Sequence, residues 1–334
     1  MKPKSDIRLW NFDYLKFFGV LWVILTHSDF TEDQREIFLF PYMINMAVPI
    51  FMIITGYMSS LSIEKRQIES MRQYFTSGTA LRKIQAVLLP FVFAYVLEVL
   101  IYNAFFDVSI NKYFLLELLK YDNMGPGSYY TPILIEVFLI FPIIYFFYIK
   151  RPVITSMVVV AAEVLFEVYK ISSDMQIETY RLICLRYIVC VLLGIILYHN
   201  RECLRDKIYY LIAMPSIAFI YVVSYTEYEP YVFDEWISTS MPTNLWAFVV
   251  VLLGINYFKE LPNMLHKGVT RIGRGTYYIF LAQMVWFSFE LDMNISSLTV
   301  AVALNMFVCI SGGLLAETIV NKTKNFMYNK KQKS

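Results

Sequence analysis

Apolar side chains come in long runs along this chain, and the charged positions are gathered between them. A helix needs about 20 residues to cross the hydrocarbon core of a bilayer. Ten runs reach or approach that length, near 12–28, 42–61, 84–106, 129–149, 152–170, 182–198, 208–225, 243–258, 275–290 and 296–316. The pattern predicts an all-α integral membrane protein, a bundle of about ten transmembrane helices. Two connectors are longer than a turn. Residues 62–83 are basic and read as a cytoplasmic surface helix. Residues 226–242 are acidic, aromatic and external. No soluble domain, internal repeat or low-complexity segment interrupts the series, so residues 1–334 read as one membrane domain.

Composition agrees. The chain is 58% hydrophobic and 17% charged, with a mean hydropathy of +0.52, which excludes an ordinary soluble domain of its 334 residues. No cleavable signal peptide is expected. The first run follows Lys2, Lys4 and Arg8, and no small-x-small cleavage site comes after it. Cys184, Cys190, Cys203 and Cys309 have neither metal-site spacing nor a paired framework. Three of them fall inside apolar runs and read as small buried side chains.

The basic residues orient the bundle. Sorting the connectors alternately puts 22 of the 29 Lys and Arg in the set that contains both termini. The opposite set holds Arg35, Lys112, Lys120 and Arg181, and Lys16, Lys170 and Arg186 lie in or at the edges of runs. Positive charge marks the cytoplasmic side. Both termini are therefore expected in the cytoplasm, with an even number of spans, and the basic tail from Asn321 as a solvated anchor.

The first run carries chemistry. It reads FDYLKFFGVLWVILTHSDF over residues 12–30 and holds Asp13, Lys16 and His27. A charge at the centre of a spanning helix costs on the order of 3 kcal/mol. At 100° per residue, Lys16 and His27 differ by about 20° and Asp13 and His27 by about 40°, so all three share one stripe. Lys16 and His27 stand about 16 Å apart along the axis. Intramembrane charges face a bundle interior or a wet cavity. This helix is expected to line a cavity that is basic at its inner end and carries an imidazole near its outer end. Asp13 can pair with Lys16 as an i,i+3 partner. Glu98, Glu136, Glu163 and Arg186 are the other ionisable residues within runs. Glu136, in ILIEVFLIFP, reads either as an orienting carboxylate or sugar ligand or as a helix–helix contact.

The spacing Lys16-x10-His27 resembles the Arg/Lys-x10-His signature of the acyltransferase-3 family of membrane acyltransferases. Other segments follow in order. VPIFMIITGYMSS (48–60) is similar to the family's Val-Pro-x-Phe…Ser-Gly-Tyr segment, with Thr55 at the usual serine. LRKIQAVLLPFVF (81–93), LRYIVCVLLGIILY (185–198) and RIGRGTYYIFLAQ (271–283) resemble its third-helix entry, its Arg…Leu-Gly helix and its late Ile-Gly-x-x-Ser/Thr…Tyr segment. Gln283 stands where the late histidine is usual, Gln85 replaces a basic residue, and GPGSYYTP (125–132) lacks the usual tryptophan.

The resemblance implies transfer of an acyl group, acetyl first among them, from cytoplasmic acyl-CoA to a hydroxyl of a surface polysaccharide or its lipid-linked precursor, in a bacterial membrane. Lys16 and Arg82 are then the expected contacts for the phosphates of coenzyme A. His27 is the expected general base, since an imidazole with an ordinary pKa of about 6.5 accepts a proton at neutral pH. A covalent acyl-histidine is the other route. Asp13 and Glu136 are supporting residues. The partners are acyl-CoA as co-substrate, a saccharide and membrane lipid. No resident cofactor, metal or nucleic acid is expected, and the oligomeric state is open. A transporter or flippase for a lipid-linked saccharide is the competing class. It calls for paired Gly/Pro-broken helices in two halves, and Gly56, Pro90, Pro142 and Gly194 do not form such a pair.

Overall fold

The first apolar run forms α1 (Trp10–Thr26), and four other helices pack directly on it. The computed structural model describes residues 10–105, 125–205, 207–226, 239–289, 295 and 297–333. After α1 come α2 (Glu32–Ile37), α3 (Ala47–Lys65), α4 (Met71–Thr76), α5 (Thr79–Phe105), α6 (Tyr130–Lys150) and α7 (Pro152–Ser172). Then follow α8 (Ile177–Arg181), α9 (Ile188–Asn200), α10 (Met214–Tyr225), α11 (Asn244–Tyr257), α12 (Asn263–Ser288) and α13 (Leu298–Lys333). There is no strand among the described residues.

Each of the ten apolar runs falls on a helix. Five stretches are both long and apolar enough to cross a bilayer: Ile44–Lys65, Thr79–Phe105, Tyr130–Lys150, Pro152–Ser172 and Leu298–Thr323. Cys184–Asn200, Tyr210–Tyr225 and Met241–Tyr257 are shorter apolar helices. They are short partly because 3-10 turns open the same runs, at Cys184–Tyr187, Lys207–Ala213 and Met241–Thr243. Local chemistry sets several ends. Pro152 disfavours helical backbone at Arg151, so α6 stops there and Pro152 opens α7. α2 starts at a capping box in which Thr31 accepts from Gln34 N–H and the Gln34 side chain accepts from Thr31 N–H.

Two connectors differ from their sequence reading. The segment 62–83 is not one surface helix. α3 runs on to Lys65, Gln67 takes φ 53°, α4 occupies six residues, and Gly78 at φ 70° turns the chain into α5. α4 is anchored by Tyr74, whose buried hydroxyl donates to the Phe138 carbonyl (3.2 Å), and burial pushes this phenol well up. The connector 259–274 is also helical over most of its length. α12 begins at Asn263 because its first turns are amphipathic rather than apolar, which an apolar-run reading does not see. Lys2, Lys4, Arg8, the connector with Lys112 and Lys120, the acidic segment over 227–238 and the side chains from residue 324 onward lie outside the described residues.

Close backbone approach holds the centre together. A Cβ on Gly56 would meet the Val191 carbonyl of α9, and one on Gly194 would meet the Ile53 carbonyl of α3. The pair lets two helices touch at backbone distance, the usual device where lipid removes the hydrophobic drive between helices. Buried carboxylates are tied to neighbours. Glu163 of α7 accepts from Val189 N–H (2.8 Å) and Asn244 Nδ2 (3.2 Å), and Glu98 of α5 accepts from Ser288 Oγ (2.6 Å). Large apolar side chains on α5, α7 and α13 point outward, among them Leu89, Phe93, Met157, Leu165 and Phe307. Such faces suit hydrocarbon rather than water.

Candidate active site

Lys16 and His27 line one cavity of about 610 Å³. α1 supplies both ends of it, α3 and α6 the walls at Phe51, Thr55, Tyr130 and Phe138, and α12 the side at Arg274, Thr276, Tyr277 and Phe280. Tyr277 is fixed by donating to the Val87 carbonyl (2.8 Å) and lies 3.0 Å from the Thr131 hydroxyl. The lining carries Lys16, Arg35, Arg181, Arg186 and Arg274 besides His27, and no Asp or Glu among the described residues. Its size matches a small-molecule site, and its charge suits an anionic ligand.

The two ends differ. At one end Lys16 Nζ lies 3.8 Å from Asp13 Oδ1, and Arg274 Nε lies 3.5 Å from Asp13 Oδ2. Asp13 stays off the cavity wall and sits behind both cations. At the other end His27 follows directly on the last residue of α1, its N–H bonded to the Ile24 carbonyl (3.3 Å) and its ring 5.9 Å from that of Phe287. Among the described residues neither nitrogen of its ring has a hydrogen-bond partner. Arg35 donates to the Thr26 carbonyl (3.5 Å) and the Phe30 carbonyl (3.2 Å), which holds its guanidinium beside this end.

The other predicted residues lie elsewhere. Arg82 is exposed at the start of α5 and bonds its own turn through Ser77 O (3.0 Å) and Thr79 Oγ1 (3.3 Å). Its neighbour Lys83 turns inward to Ser59 Oγ (2.7 Å), over the Phe138 ring. Glu136 is not on the cavity. Its carboxylate accepts from Cys184 N–H (2.8 Å), which ties α6 to the turn before α9. His266 and His199, which fall between the apolar runs, are in helical turns. His266 lies 2.8 Å from the Tyr14 hydroxyl, and His199 packs among Tyr145, Tyr148 and Tyr198. Gln283 is fully buried behind the cavity and donates to the Pro126 carbonyl (3.3 Å). Pro126 sits between Gly125 (φ 83°) and Gly127 (φ 90°), in a turn pressed so close to α12 that a Cβ on Gly125 would strike the Met284 carbonyl.

Reading of the sequence did not anticipate Arg35, Arg181 or Arg274 at the cavity. Arg274 falls outside the apolar runs because the start of α12 is polar. Arg35 and Arg181 sit on short helices between spans, and no spacing rule relates them to α1.

Long apolar helices around a cation-lined cavity define a multi-pass membrane protein. The family model described as an acyltransferase domain matches residues 9–328, and the chain belongs to that family, acyltransferase-3. It is therefore a membrane acyltransferase, which decides against the transporter class. No curated protein and no solved structure matches the chain.

Proposed function

We propose that this enzyme is an O-acyltransferase, most directly an O-acetyltransferase, that moves the acyl group of cytoplasmic acyl-CoA to a hydroxyl of a surface polysaccharide or its lipid-linked precursor. One observation carries the reading. Lys16 and His27 open into the same cavity from opposite ends of one helix face, about 16 Å apart. In this reading ten helices span a bacterial inner or plasma membrane as a single domain, with both termini in the cytoplasm.

Lys16 and Arg274 receive anionic parts of the donor at the inner end, and Arg82 meets nucleotide phosphates outside the cavity. The slender pantetheine arm lies between the aromatic walls and brings the thioester to His27. The imidazole accepts the proton of the saccharide hydroxyl as its oxygen attacks the thioester carbonyl. The tetrahedral intermediate collapses, the C–S bond breaks, and the departing thiolate takes the proton back from the imidazolium. Donor and acceptor then enter from opposite faces without either crossing the bilayer.

The test is transfer of label from acetyl-CoA to polysaccharide in membranes holding equal amounts of wild type or His27→Ala. General-base catalysis of this kind contributes about 100-fold or more, and a loss of that size is expected. Equal label in both would remove His27 as the base.

A further inference from the structure

We propose that the acceptor carries a negative charge near the reacting hydroxyl, a carboxylate or a phosphate, and that Arg186, with Arg181 and Arg35, holds it at the His27 end of the cavity. This rests on reading the cavity as the acyl-transfer site.

Arg186 is the central observation. It lines the cavity and is more than nine-tenths buried, in the 3-10 turn that opens α9. Burying a guanidinium removes hydration that surrounding acceptors, rings and charges must offset. The protein supplies part of that offset. Nη2 donates to Thr239 Oγ1 (3.1 Å), and the guanidinium lies 4.9 Å from the Tyr180 ring and 5.2 Å from the Tyr187 ring. Nε has no hydrogen-bond partner among the described residues. Neither nearby carboxylate accepts a hydrogen bond from it. Glu163 accepts from Val189 and Asn244, and Glu167 from the Tyr180 hydroxyl. A buried, half-used guanidinium facing a cavity is a seat for a planar or tetrahedral oxyanion, which matches its fork of donors.

The neighbours reinforce it. Arg35 and Arg181 line the same cavity, and Arg35 is held beside His27 by its bonds to the Thr26 and Phe30 carbonyls. At the Lys16 end, Asp13 offsets the cations. Beyond Lys16 and Arg274 the lining offers three guanidiniums, Arg35, Arg181 and Arg186, and no carboxylate among the described residues. The donor has Lys16 and Arg274 for its own charge, so the anion expected here belongs to the other substrate. An acceptor pinned through its charge presents its hydroxyl to His27 in one orientation, which is where positioning accelerates a reaction between two bound partners.

The test is equilibrium binding to the purified full-length protein in neutral detergent. Three ligands are compared: a uronate-containing tetrasaccharide, the same tetrasaccharide with its carboxyls reduced, and the reduced form carrying a polyprenyl diphosphate. At least one charged form is expected to bind tenfold or more tightly than the neutral one. Preference for the uronate places the charge on the sugar, and preference for the diphosphate places it on the carrier lipid. Arg186→Gln should erase the preference while leaving acetyl-CoA affinity within twofold, and Arg181→Gln, at a less buried position, should weaken it at least threefold. Equal binding of all three by wild type overturns the proposal, as does an Arg186→Gln variant that loses acetyl-CoA instead. Binding is read without turnover, so failure of acyl transfer would count against the proposed reaction and leave this result standing.

Discussion

Arg274 of α12 lies 3.5 Å from Asp13 of α1, the same carboxylate that pairs with Lys16 at 3.8 Å. One largely buried acid thus serves two cations on two helices. Asp13→Asn leaves both without their counter-charge and is expected to cost about 2 kcal/mol, read as a lower midpoint of thermal unfolding in detergent. Lys16→Ala in the same background should recover part of the loss. Strictly additive single and double variants would show that the pair is not coupled.

The Gly56–Gly194 contact predicts a second outcome. Either glycine changed to alanine drives a methyl group into the facing backbone, which cannot yield as a side-chain tip can. Overpacking of this kind costs about 1–3 kcal/mol. A smaller folded fraction by size-exclusion chromatography is expected for both, and more so for the double variant. Wild-type yield and unfolding midpoint in Gly194→Ala would refute the contact.

Gln283 separates a structural role from a catalytic one. Its amide donates to the Pro126 carbonyl and so holds a turn that lines the cavity. Gln283→His keeps a donor at that position and is expected to retain transfer activity within about threefold, the scale of one weakened neutral hydrogen bond. Gln283→Leu keeps the volume but removes the donor, leaves a carbonyl unsatisfied, and should lose both stability and activity. If the leucine variant is as active and stable as wild type, the turn does not depend on this bond.

The adjacent Arg82 and Lys83 should behave differently. Arg82 is exposed and bonds its own turn, so Arg82→Ala is expected to raise KM for acetyl-CoA about three- to fivefold with kcat unchanged, the size of an exposed ionic contact. The effect should fade in high salt. Lys83 reaches Ser59 inside the bundle, and Lys83→Ala should act on stability rather than on KM. A salt-insensitive change in kcat from Arg82→Ala would place that residue in the chemistry instead.

That the chain is built of long apolar helices was legible because a run of apolar residues answers to one solvent, the bilayer, whatever surrounds it. The stripe of Asp13, Lys16 and His27 was legible for a related reason. Within one helix the residue spacing fixes direction, and the structure does put Lys16 and His27 on one cavity. Helix edges were harder. The amphipathic start of α12 and the 3-10 openings of three runs depend on neighbours that an apolar count ignores. What only the tertiary structure decided is which distant charges meet. Arg35, Arg181, Arg186 and Arg274 come from four separate elements, and no periodicity links them to α1. They converge because backbone packing at pairs such as Gly56 and Gly194 sets how helices cross, and crossing geometry decides which side chains face the same space. Sequence alone determined that this chain is a helical membrane protein with a charged first helix. Packing decided that the charge opens onto a cavity that four arginines from other elements also line.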